Sequence, residues 1–171
     1  MDSLLEFLAI VGTFETLFLI FSIGYAVYLC VTGVLPVLIR LGNGLAKRRI
    51  AIFAKADAAA SIKSLLLDSK LFKEKNICEV TEANNLEASG NASVYLVYWP
   101  DWAEHIDAIL SRKPDSCALV VYQPYDKGRI ADELLKKLDG KRHTAISNFR
   151  GRLLNDIVTS IITTSYEKSS N

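Results

Sequence analysis

Histidine, methionine and paired cysteine are scarce in this chain. Among its 171 residues there are two histidines, His105 and His143, one methionine and three cysteines. Cys30, Cys78 and Cys117 are odd in number, far apart and set in apolar or strand-like stretches. That pattern argues against a disulfide framework or a cysteine metal site, and predicts buried free thiols in a reducing compartment. No GxGxxG, Walker A, GxSxG or HExxH signature is present, so no cofactor or metal is expected. Excess charge is missing too. The net charge is +1, which gives no reason to expect a nucleic-acid coat. Of the 20 basic and 19 acidic residues, only Arg40 and the three acids Asp2, Glu6 and Glu15 precede Gly42. That leaves 19 against 16 beyond it, so any anion site must be local.

Apolar residues make up half the chain and concentrate before residue 42. Thr16 to Ile39 carries no charge and exceeds the roughly 20 residues needed to cross a bilayer. A cleaved signal peptide fits poorly, because the N-terminus lacks a basic region and the apolar run is too long. The expected organisation is a membrane region over 1–41, with a short apolar helix at about 3–14 and a transmembrane helix at about 16–39. Arg40, Lys47, Arg48 and Arg49 follow the span and no basic residue precedes it. The positive-inside pattern therefore predicts a single-pass protein of the bacterial inner membrane with its C-terminal part cytoplasmic. Glu15 is the residue to watch. It is an interfacial helix-start residue if two helices meet there, and a carboxylate facing a pore or partner if one long helix runs through it. Ser22, Gly24 and Ala26 are small residues that permit close helix contact.

A basic linker is expected at 42–48, and the periodicity then changes. Apolar runs at 49–54, 76–80, 93–99, 117–123 and 143–147 read as strands, alternating with helix-period stretches. Asp57, Asp101 and Asp126 stand at helix starts. The fold class expected is an N-terminal transmembrane helix plus a cytosolic α/β three-layer domain. Its five-stranded parallel sheet takes the flavodoxin-like order 2-1-3-4-5 over residues 49–166, ahead of a polar tail at 167–171.

In such a sheet ligands bind beyond the carboxyl ends of the strands. Lys55, Trp99, Trp102, Tyr125, Asn148, Arg150 and Arg152 occupy the loops so placed. In "SNFRGR" the two arginines begin a helix, where free N–H groups and guanidinium forks suit a phosphate. Asn148 is suited to a base or ribose, and Trp99, Trp102 and Tyr125 to stacking. The alternative for the arginines is pairing with Asp126 or Asp156.

The segment "VYLVYWPDWAEHIDAIL" resembles the strand-to-helix passage of TIR and TIR-like domains, over roughly residues 49–166. That resemblance implies Glu104 as the candidate NAD-cleaving carboxylate, with Asp107 second. The overall plan resembles membrane effectors of bacterial anti-phage systems, nearest in plan to the Hailong type of oligonucleotide-gated channel effector. What it implies is a homo-oligomer, a tetramer, in the lipid bilayer. Its cytosolic domain would bind a nucleotide or oligonucleotide signal, made by a nucleotide-synthesising partner enzyme, that gates a pore. A membrane-anchored NAD hydrolase and a membrane-anchored protein-interaction scaffold are the two other readings.

Overall fold

The computed structural model describes residues 2–168, and the chain divides into two compact units, Met1–Gly42 and Asn43–Asn171. The first is helical. Helix α1 covers Asp2–Leu29, a turn of π-helix follows at Cys30–Val34, and α2 covers Leu35–Ala46, of which residues 43–46 fall in the second unit. The two segments expected on either side of Glu15 are one uninterrupted helix, because nothing near that position breaks it. Thr13 and Thr16 turn their hydroxyls onto the carbonyls of Ala9 and Gly12, each at 2.8 Å, and so satisfy their own polar groups. The π-turn has a cause in Pro36. Proline lacks an N–H, and its ring crowds the carbonyl four residues back. The backbone responds by bonding Leu35 N–H to Cys30 O, five residues back. Ala9–Ile39 is long and apolar enough to cross a membrane, with none of it buried in the protein. Glu15 lies inside that stretch. Residues 42–46, expected as linker, belong to α2, so only Lys47–Arg49 lead into the first strand.

The second unit carries five strands: β1 Ile50–Phe53, β2 Ile77–Val80, β3 Val94–Tyr98, β4 Ala118–Tyr122 and β5 Thr144–Ser147. They form one all-parallel sheet in the order β2-β1-β3-β4-β5, as the alternation of apolar runs predicts. Helices cover both faces. The odd–even alternation along each strand separates two cores. Ile50, Ile52, Val94, Leu96 and Val120 pack under α3 (Ala56–Asp68) and α7 (Arg150–Lys168), through Ile62, Leu66, Leu153 and Ile157. Ala51, Phe53, Tyr95, Val97, Leu119 and Val121 pack on the other side. There they meet α4 (Trp99–Trp102), α5 (Ile106–Arg112) and α6 (Asp132–Asp139), and a 3-10 stretch at Ala83–Ser89.

One expected helix is shorter than its sequence pattern. The stretch from Asp126 to Asp139 is helical only from Asp132. Tyr125–Lys127 is a 3-10 turn, and Gly128 follows with φ +94° and ψ −166°, a region open essentially to glycine alone. Asp57 and Asp101 stand in the first turns of their helices and not at the caps. Of the expected tail, Glu167 and Lys168 continue α7, and residues 169–171 lie outside the described residues.

Candidate functional site: the carboxyl edge of the sheet

Four loops meet at the carboxyl ends of β1, β3, β4 and β5, and the sequence candidates divide among three separate places there. At the switch between β1 and β3 the expected stacking platform is absent. Trp99 is 7% exposed and Trp102 1%. Both face the core because α4 begins at Trp99 itself, with Pro100 in its first turn. The spacing 99, 102, 106, 109 then continues as one apolar face into Ile106 and Ile109. That spacing was readable in the sequence, and it outranks the loop position. Trp102 meets Phe53 edge-on at 5.4 Å and His105 at 5.5 Å. Asp101 closes the crevice by accepting a 2.7 Å hydrogen bond at Oδ2 from the Lys55 backbone N–H. A hollow of about 300 Å³ remains there, and Lys55, Asn84, Asp101 and His105 line its polar side.

Between α3 and α7 the second place holds Arg150. Its guanidinium donates to Ser61 Oγ at 2.6 Å and to Ser61 O at 3.0 Å. This ties the two helices together and occupies two of the five guanidinium N–H donors. Beside it Tyr98 and Tyr122 lie 5.8 Å apart, around a space of only about 110 Å³. Burial, then the nearby Asp101, raises the Tyr98 pKa above its ordinary value. Burial also raises that of Tyr122, against the opposing charge of Arg150. Arg152 pairs loosely with Asp156, at 4.0 Å and one helical turn away.

The third place is the largest. Beyond β4 and β5 an open cleft of about 620 Å³ is lined by Gln123, Tyr125, Arg129, Asp132 and Asn148, over an apolar floor of Ile130, Leu135 and Ile146. Gln123 builds the loop. Its buried amide Nε2 donates to Pro124 O at 3.2 Å and to Gly128 O at 2.9 Å, folding Tyr125–Gly128 back on itself. Tyr125 is thereby left 75% exposed, stacked at 6.3 Å and 9° on Phe149, itself 57% exposed. So the structure brings Asn148 and Tyr125 together and leaves Lys55, Trp99, Trp102 and Arg150 elsewhere. Sequence reasoning missed Arg129, Asp132 and Phe149. Gly128 was the available signal, since a glycine inside a helix-period stretch marks a loop.

The residues suggested by the TIR resemblance lie apart from all three places. Glu104 is exposed on the 3-10 turn Ala103–His105 and lines none of these cavities. Asp107 pairs with Lys137 at 2.5 Å. Among the described residues no three His, Cys, Asp or Glu side chains gather where a metal could sit. Comparison with protein-family models, curated proteins and solved structures gives no match.

Proposed function

We propose that the protein is a homo-oligomeric membrane effector whose α/β domain binds a nucleotide or oligonucleotide signal in the cleft beyond β4 and β5. Binding there sets the state of a pore formed by the N-terminal helices, in the setting of anti-phage defence. The reading rests on one observation above others. A cleft large enough for a nucleotide lies at the carboxyl edge of a parallel sheet, in a chain that also carries a helix able to span a membrane. The chemistry of the lining is apt. Arg129 offers a guanidinium to phosphate, Asn148 and Asp132 offer polar groups to ribose or base, and the Tyr125–Phe149 pair offers a ring face. A ligand shifts a pore only by its differential affinity for the open and closed arrangements, and a few kcal/mol suffices for a large change in population.

Binding is the direct test. The purified full chain is titrated with nucleoside phosphates and short oligonucleotides by calorimetry. A stacked base is worth roughly 1–3 kcal/mol, so Tyr125→Ala is expected to weaken binding by about tenfold. Asn148→Ala is expected to weaken it similarly, and Glu104→Ala to leave it unchanged. Retained affinity in the Tyr125 and Asn148 variants would move the site elsewhere.

In this proposal the domain is cytoplasmic and the N-terminus lies outside the bacterial inner membrane, with Lys47, Arg48 and Arg49 holding the domain end of the helix inside. A reporter fused after Asn171 is expected to behave as cytoplasmic and one fused before Asp2 as external. A C-terminal reporter found outside would overturn the orientation.

A further inference from the structure

The continuity of α1 brings out a pattern that two separate helices would hide. Every aromatic residue of the helix, Phe7, Phe14, Phe18, Phe21, Tyr25 and Tyr28, is exposed. Their spacings are seven, four, three, four and three. At about 100° per residue all six fall in one sector roughly 80° wide. Tyr25 and Tyr28 already touch along it, with ring centroids 6.5 Å apart. Lipid imposes no period on a helix surface. A seven-residue repeat held over three turns of the heptad keeps one seam against a partner helix, as in a left-handed coiled pair. Among the described residues the chain has one helix able to span a membrane, so the partner comes from another molecule.

We infer that the Phe7–Tyr28 seam is a helix–helix interface between copies of this chain within the membrane. The inference rests on the proposal that the chain assembles with itself, and it says which face does so. Glu15, Ser22 and Ala26 form their own sector, within about 20° of Glu15 and roughly 100° round from the centre of the seam. They therefore stay out of the contact. Glu15, the one charged side chain in Ala9–Ile39, is then free to face the enclosed side of the assembly, where a carboxylate can be hydrated. Gly24 lies about 180° from Glu15, on the other side of the helix from Ser22 and Ala26.

The test compares two triple variants of the full chain in the same detergent, by native mass spectrometry and light scattering. Phe14→Ala, Phe18→Ala and Phe21→Ala together thin the seam. Ile20→Ala, Ile23→Ala and Val27→Ala together remove apolar bulk from the opposite side. The seam variant is expected to raise the monomer fraction by about tenfold or more, and the control to assemble like the native protein. Equal effects of the two triples, or dissociation only in the control, would overturn the inference and leave self-assembly standing. A native protein that is monomeric throughout would overturn self-assembly and the inference together.

Discussion

Replacing Trp102 with alanine is expected to cost the α/β domain about 3–5 kcal/mol, the range for emptying a buried large aromatic site. The indole is 1% exposed and fills the space between Phe53 and the start of α5. Rigid strands on one side leave little scope for collapse, which favours the upper part of that range. Nε1 is buried and finds no hydrogen-bond partner in the protein. Trp102→Phe therefore abandons no bond, keeps most of the volume, and is expected to cost distinctly less. Denaturant unfolding followed by circular dichroism checks both. The chain has two tryptophans, both buried, so native emission should be blue-shifted and should not be quenched by added nucleotide. Nucleotide quenching of that emission, or a Trp102→Ala protein of native stability, would return the indole to the role of an exposed stacking platform.

The second large effect is alkaline. Cys117 is buried where β4 begins, and burial pushes its thiol from an ordinary 9.0 up to about 12, against the opposing charge of Lys113. The folded state favours the neutral thiol, so its contribution to stability is fully present below pH 9 and is lost as pH rises through about 12. At about 1.4 kcal/mol for each pH step of one, the interval from 9.0 to about 12 sets a ceiling on the order of 4 kcal/mol. Tyr98 and Tyr122 are raised in the same sense and add to the loss above pH 10. Lys113 acts oppositely, because burial lowers its pKa and favours the neutral amine in the folded state. Comparing the native protein with Cys117→Ala at each pH isolates the thiol. The unfolding midpoint of the native protein should fall more steeply between pH 9 and 11 than that of the variant. Parallel curves would mean that the thiolate forms without unfolding the domain. In the native state Cys117 should also resist alkylation at pH 8, as a thiol with so little thiolate must.

How much of this was legible beforehand depends on the range of the interaction responsible. The strands were readable because a parallel sheet covered on both faces demands continuous apolar runs. "IAIF", "VYLVY" and "ALVVY" are such runs. The order of the sheet followed from five alternating units and the handedness of their connections. Helix ends were less legible. Asp126 to Asp139 has helical periodicity throughout, yet Gln123 and Gly128 hold its first part as a loop through two hydrogen bonds to backbone carbonyls. A side-chain hydrogen bond that reaches forward across five residues leaves no periodic trace.

Local pattern by itself determined that this chain has an apolar helix long enough to span a membrane and a five-stranded parallel α/β domain. Both rest on burial of apolar surface, which recurs along the chain with the period of the element that buries it. Tertiary structure alone decided which loop residues share a site. Position at the carboxyl edge of the sheet is common to Trp102, Arg150 and Tyr125, but their fates differ. Trp102 was drawn inward by the apolar face it shares with Ile106 and Ile109, Arg150 was captured by Ser61 from 89 residues away, and Tyr125 was held outward by its loop. Side-chain direction is settled by partners that the chain brings together only on folding, and those contacts have no period for a sequence to display.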